Sequence, residues 1–146
     1  MDVTVLLVED SPTDAAILAA AFDEAGCQLM LQTAHTGDEA LTLLHQIDGG
    51  PSAYPRLILL DLNLPGKNGY EVLGEIKNNN LWQTIPIIVL SSSATPHDIE
   101  RSYQLRANAY ITKPTSFSDY QVIAQKIYDF WLDTAQLPTN PSTAVA

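Results

Sequence analysis

The sequence has one cysteine, few basic residues and no long apolar run, and each shortage excludes a class of protein. A lone Cys27 rules out an internal disulfide and any metal site built from several cysteines. It reads as a small buried residue, not as a reactive thiol. Seven Lys and Arg against 17 Asp and Glu leave a formal net charge of −10. Such a surface repels phosphate backbones, so no direct contact with DNA or RNA is expected. No stretch reaches the roughly 20 apolar residues of a membrane span, and the amino terminus lacks the basic-then-apolar order of a secretory signal. A cytoplasmic protein without membrane attachment is therefore expected. His35, His45 and His97 have no ligand spacing and read as surface or boundary groups. There is no internal repeat.

What is present is an ordinary globular composition, 46% hydrophobic and 16% charged over 146 residues, enough for one domain with a real core. Short apolar runs at 3–8, 28–34, 57–60, 87–90 and 108–112 read as strands, rich in Val, Ile and Leu as in a sheet buried on both faces. Helical patterns separate and follow them. Ser11-Pro12 opens the first, with Ile17, Leu18, Ala21, Phe22 and Ala25 at helical spacing before Gly26 stops it. The second follows Thr36-Gly37 and the third Gly69; the fourth starts at Pro96, and the last covers 117–132. Five strands alternating with five helices predict an α/β domain, a parallel sheet with helices on both faces. The domain is read as 1–133. From Thr134 the chain is uncharged with two prolines, and 134–146 reads as a loosely ordered tail.

Four of these runs end on a polar residue suited to phosphoryl chemistry: Glu9-Asp10, Asp61, Ser91 and Lys113-Pro114. On parallel strands all four emerge at the carboxyl edge, where open α/β sheets bind ligands. Mg²⁺ takes oxygen ligands in octahedral geometry and keeps several waters. Asp10 and Asp61 are candidate carboxylate ligands, Asn63 would offer its backbone carbonyl, and Glu9 would act through a water. Packed carboxylates repel one another unless a cation joins them. Lys113 would pair with Asp61 or with a phosphoryl oxygen attached there, since an Asp can itself be the nucleophile and form an acyl phosphate. Ser91 would donate a hydrogen bond to that group. Taken singly, an acid at a strand end is often a cap, a Ser after a strand a turn former, and a Lys before Pro plain surface. Four such ends in one chain favour a site.

The segments Val8-Glu9-Asp10-Ser11, Leu60-Asp61-Leu62-Asn63-Leu64-Pro65, Gly69, Val89-Leu90-Ser91 and Tyr110-Ile111-Thr112-Lys113-Pro114 resemble the response-regulator receiver domains of two-component systems. The resemblance implies a doubly wound sheet of order 2-1-3-4-5. It implies Asp61 as phosphoacceptor from a sensor histidine kinase, Mg²⁺ held by Glu9, Asp10, Asp61 and the Asn63 carbonyl, and phosphoryl oxygens bound by Ser91 and Lys113. Tyr110 matches the aromatic switch position, and its bland alternative is a strand aromatic filling space. A narrower resemblance, carried by Glu9-Asp10-Ser11-Pro12-Thr13-Asp14, by the loop at 48–55 and by Phe130-Trp131-Leu132, is to the small single-domain regulators paired with cyanobacterial and bacterial phytochromes.

No effector pattern follows the receiver pattern, so output through a protein contact or onward phosphotransfer is expected, with no enzymatic turnover. Ile123, Ile127 and Phe130 form one apolar stripe of the last helix, expected to face the sheet, and Tyr120, Ala124, Tyr128 and Trp131 a second. A helix apolar on two sides either packs deeply or meets a partner. The expectation is a homodimer through the fourth helix, fifth strand and fifth helix, with Tyr103, Tyr120 and Trp131 as anchors, and the alternative is a tail folded back over Trp131. Three rivals remain. A haloacid-dehalogenase-like phosphatase would carry a second Asp where this chain has Asn63. A flavodoxin-like flavin binder would not tolerate Glu9-Asp10 beside its phosphate. A receiver-like binding module that is never phosphorylated would have no use for the complete set of residues present here.

Overall fold

The computed structural model describes residues 3–138. Five parallel strands, β1 (Val3–Val8), β2 (Leu29–Ala34), β3 (Leu57–Leu60), β4 (Ile87–Ser91) and β5 (Ala109–Thr112), pair in the order β2-β1-β3-β4-β5. They alternate with α1 (Pro12–Glu24), α2 (Gly37–Gln46), α3 (Gly69–Lys77), α4 (Pro96–Gln104) and α5 (Phe117–Ile127). The parallel sheet flanked by helices is what the alternation predicts, and the doubly wound order is the one the family resemblance implies.

Side chains alternate across a strand, so the central runs feed two cores at once. Leu6, Val8, Ile58, Leu60, Ile87 and Val89 face one layer, where Ala40, Leu41 and Leu44 of α2 and Val72, Leu73 and Ile76 of α3 pack. Val5, Leu7, Leu57, Leu59, Ile88 and Leu90 face the other, against Leu18, Ala21 and Phe22 of α1 and Tyr120, Ala124 and Ile127 of α5. Strand β2 lies at the edge, with alternating exposure along most of its length.

Each helix starts on a side-chain cap. Ser11, Thr36, Asn68, Thr95 and Ser116 each accept the N–H of the residue three positions on. Helix α1 ends where Gly26 takes φ +75, with Cys27 N–H bonded to Phe22 O and Gly26 N–H to Asp23 O, the paired bonds of a left-handed helix stop. Cys27 is half-buried, less enclosed than its sequence context suggests.

The carboxyl-terminal region departs from the sequence reading. Helix α5 ends at Ile127 and continues as a π-helical segment, Tyr128–Thr134, closed by Ala135 N–H on Phe130 O. The wider winding rotates the later residues off the expected stripe. Phe130 is exposed, while Tyr120, Ala124 and Ile127 are the buried positions. Tyr120 is therefore corrected from interface anchor to core residue, and Trp131 is half-buried against the same core. Tyr103 alone of the three proposed anchors is exposed. The expected tail also begins ordered, since Thr134 closes the π-helical segment and Leu137 is buried; the remainder of that segment, 139–146, lies outside the described residues. Among the described residues no helix is long and apolar enough to cross a membrane.

Candidate functional site

The site sits at the carboxyl edge of β1, β3 and β5, and strand register puts it there. Val8 pairs with Leu60, and Ser91 with Thr112. Main-chain bonds extend the alignment one residue further. Glu9 N–H donates to Ala34 O at 2.9 Å, Asp61 N–H to Val8 O at 3.0 Å, and Lys113 N–H to Ser91 O at 2.7 Å. Glu9 and Asp61 thus leave neighbouring strands side by side, with Lys113 reaching in from the sheet edge.

Lys113 Nζ is the hub. It donates to Glu9 Oε1 at 2.6 Å, Asp14 Oδ2 at 2.8 Å and Asp61 Oδ2 at 2.8 Å. An ammonium has three N–H donors, and all three are used. The side chains of Lys113, Glu9 and Asp61 are nearly buried, whereas that of Asp14 is 37% exposed and forms the rim. Leu7, Leu18, Leu90 and Tyr120 close the cavity around these charges. The other carboxylate oxygens are held by backbone: Asp61 Oδ1 accepts Asn63 N–H at 3.0 Å, and Glu9 Oε2 accepts Ser11 N–H at 3.3 Å.

Burial pushes the Glu9 carboxyl up to about 7; Lys113 pulls against this, and the neighbouring Asp61 adds to it. Burial works against the Lys113 ammonium too, but its hydrogen bonds to Asp14, Asp61 and Glu9 outweigh that and hold it above the ordinary lysine range. More negative charge is gathered here than one lysine neutralises.

Glu9, Asp10 and Asp61 each bring a carboxylate oxygen within 4.8 Å of the others. On an octahedral ion with bonds near 2.1 Å, neighbouring ligands stand about 3.0 Å apart and opposite ones about 4.2 Å, so these three oxygens would draw together to share one cation. All-oxygen donors with Glu9 reluctant to ionise alone suit a hard divalent ion. The residues fit such a group. Asp10 is exposed and supplies the open side, and Asn63 lies on the exposed loop after β3.

Ser91 and Tyr110 are placed differently from the acids. Ser91 is fully buried, and its Oγ accepts Ser93 N–H at 3.2 Å; among the described residues its hydroxyl makes no hydrogen bond to Asp61 or to the Lys113 side chain. Tyr110 is half-buried, and its hydroxyl donates to Ser93 O at 2.8 Å. Ser91, expected to bind phosphoryl oxygens, and Tyr110, expected as the switch, therefore both grip the β4–α4 loop. Ser93 in turn donates to Asp98 Oδ2 at 2.5 Å, while the Tyr70 hydroxyl bonds the other Asp98 oxygen and Arg101 stacks 4.1 Å over the Tyr70 ring. Burial and Asp98 push the Tyr70 hydroxyl up to about 12, so it remains a donor at neutral pH.

Sequence reasoning missed Asp14 and the Tyr70–Asp98–Ser93 linkage. Asp14 did carry a signal, since it follows Ser11 by three residues, but that spacing is also the pattern of a helix-capping acid. The linkage joins residues 28 apart with no local pattern.

Residues 5–125 match the response regulator receiver domain family. Response regulator Rcp1 of Synechocystis sp. is 40% identical over 135 residues, covering 92% of this chain and 92% of that protein. A probable methanogenesis regulatory protein of Methanothrix harundinacea, FilR2, is 36% identical over 92% of this chain and 86% of its own length. Among solved structures, the phosphorylated cyanobacterial phytochrome response regulator RcpA superposes with a TM-score of 0.84 at 41% identity, covering 94% of this chain and 99% of that one. The Mn²⁺-bound form of Rcp1 gives 0.80 at 39% identity, covering 92% and 98%. Receiver domains take their signal from histidine kinases, and a neighbour that binds a divalent metal agrees with the acid cluster described above. By sequence, fold and site, this chain belongs to the response regulator receiver family.

Proposed function

We propose that the chain accepts a phosphoryl group on Asp61 from the phosphohistidine of a sensor kinase, with Mg²⁺ bound by Glu9, Asp10, Asp61 and the Asn63 carbonyl. The observation that carries this is the Asp61 carboxylate itself, buried at the sheet edge with one oxygen on Lys113 Nζ and the other on Asn63 N–H, beside two further acids. Asp61 Oδ attacks phosphorus, the bond from phosphorus to the histidine nitrogen breaks, and its electron pair stays on the departing imidazole, which takes up a proton. The metal supplies charge neutralisation for the phosphoryl oxygens. Lys113 follows the transferred group and neutralises a further oxygen.

Arrival of the phosphoryl group gives the Ser91 O–H a charged acceptor, which competes with the present arrangement in which the Ser91 oxygen accepts the Ser93 N–H. Turning Ser91 away frees the β4–α4 loop that Tyr110 and Asp98 hold, and the exposed face around Tyr103 changes shape. That face is the output surface, for a protein partner or a second copy of the chain, and not for nucleic acid given the net charge of −10. Dimerisation through α4, β5 and α5 now rests on Tyr103 without Tyr120. Sedimentation at high concentration with beryllofluoride and Mg²⁺ tests it, and a monomer throughout would exclude it. The action proposed is that of a cytoplasmic switch and not of a turnover enzyme.

The partner we infer is a phytochrome-type kinase. RcpA is described as a cyanobacterial phytochrome response regulator, and a 31%-identical neighbour with a TM-score of 0.85, RPA3017, as acting in red light signalling in R. palustris. Transfer of label from an autophosphorylated phytochrome kinase to wild type, absent in Asp61→Asn, is the expected result. Labelling of both proteins alike would refute the assignment.

A further inference from the structure

Of the three carboxylates bonded to Lys113 Nζ, Asp14 is the one that stands outside the acid cluster fitted for a cation. It occupies the third position of α1, after the cap Ser11. An acid there ordinarily reaches back to the N–H of the cap residue, completing a reciprocal pair of bonds. Half of that pair is present, since Asp14 N–H donates to Ser11 Oγ at 3.2 Å. The return bond is not made. Ser11 N–H goes to Glu9 Oε2 at 3.3 Å, and the Asp14 carboxylate turns to Lys113 Nζ at 2.8 Å, across 99 residues of sequence. Glu9 thus releases Asp14 from the capping role and frees it for the lysine.

The arrangement matters once a divalent cation enters. Glu9 and Asp61 belong to the cluster whose oxygens would move onto that ion, which weakens two of the three hydrogen bonds that hold the ammonium. A lysine stem is flexible and its head strongly hydrated, so an ammonium left with fewer acceptors swings toward water. Asp14, fixed on the first turn of a helix, keeps the third bond. It lies at the rim, on the solvent side of Lys113. We propose that Asp14 is a positioning residue that tethers Lys113 at the mouth of the site after the metal has claimed Glu9 and Asp61, so that the ammonium meets the incoming phosphoryl group without being reordered. The inference rests on Asp61 being the phosphoacceptor.

The test is the initial rate of phosphorylation by acetyl phosphate at saturating Mg²⁺, followed by intact mass. Wild type, Asp14→Asn, Asp14→Glu, Lys113→Met and the Asp14→Asn/Lys113→Met double variant are compared, with Asp61→Asn as the control for the site. Loss of a partly exposed ion pair should slow Asp14→Asn by roughly two- to fivefold. Asp14→Glu should recover most of the rate, and Asp14→Asn should cost nothing further when Lys113 is already methionine. Wild type modified on Asp61 beside an Asp14→Asn variant that is equally fast or faster would overturn this inference alone. An equal loss with and without Lys113 would overturn it too, because Asp14 would then act elsewhere. Unmodified wild type, or modification that persists in Asp61→Asn, would overturn the phosphoacceptor assignment and this inference with it.

Discussion

Replacing Gly69 by alanine puts a methyl group where the phosphoacceptor loop already is. A Cβ built on Gly69 lies 2.4 Å from Asp61 O, 2.5 Å from Leu62 Cα and 3.1 Å from the Asp61 carbonyl carbon. Ordinary contact begins at 3.4 Å, so the start of α3 and the end of β3 must separate by about 1 Å. All three neighbours are backbone, and Gly69 N–H is bonded to Leu62 O at 3.0 Å, so no side chain can swing aside to relieve the clash. Gly69 does not have a left-handed φ, so alanine brings no backbone strain. Overpacking typically costs about 1–3 kcal/mol and the strained Gly69–Leu62 bond about 1 more, against a helix-propensity gain of up to about 1. A net loss of about 2 kcal/mol follows, or roughly 5–10 °C in Tm for a chain of this size. The displaced atoms are those of Asp61, so affinity for Mg²⁺ should fall as well, on the order of tenfold. Gly74 in the same helix is the control, because nothing lies within 4 Å of its Cβ. Gly74→Ala should stabilise by about 0.5–1 kcal/mol. Thermal melts with and without Mg²⁺ read both. A Gly69→Ala protein as stable as wild type, or two variants shifted in the same direction, would refute the steric argument.

Two further perturbations test the charges. Lys113→Met removes the one cation that, among the described residues, is bonded to Glu9, Asp14 and Asp61; breaking a buried charge cluster costs about 3–5 kcal/mol, less here because Asp14 is at the rim. Mg²⁺ should then raise Tm more in this variant than in wild type, and an unchanged increment measured by calorimetry would show that Lys113 and the metal do not compete. Lys77 is a buried lysine distant from the site. Its Nζ donates to Gln83 O, Ile85 O and Asn108 Oδ1, and burial together with Arg106 pushes it down to about 8. Lys77→Met leaves the two carbonyls without that donor and should destabilise by about 2 kcal/mol. Between pH 8 and 10.5 the unfolded chain binds more protons at this residue than the folded one, so wild type gains stability as pH rises and the deficit of the variant widens. Denaturant melts giving a constant difference across that window would contradict the sign.

The legible parts of the fold were those set by local chemistry. Alternation of apolar runs with capped helical stripes gave the α/β class, and Ser11, Thr36 and the Pro at the start of α1 and α4 marked helix starts that the structure keeps. The site acids were legible for the same reason, since each stands where a buried run meets the sheet edge. Features made by distant contacts were not. Arg106 ends α4 at φ 72, a conformation favouring glycine, and is held by bonds to Lys77 O and Asn78 Oδ1 that no local pattern announces. The π-helical turn after Ile127 changed which aromatics face outward, because a helical wheel assumes a constant period and an extra residue per turn breaks it. Tyr120 was read as an anchor from its stripe, yet its neighbours are Lys113, Glu9 and Asp61 from three strand ends. Asp14 was concealed by a capping pattern that the structure only half completes.

The central claim is that Asp61 takes the phosphoryl group with the help of a divalent ion. Intact mass after incubation with acetyl phosphate, with and without Mg²⁺, for wild type and Asp61→Asn, tests it most directly. The account predicts a single added phosphoryl group in wild type that requires Mg²⁺ and is absent from the variant. No adduct in wild type, or an adduct indifferent to Mg²⁺ or to Asp61, would contradict it.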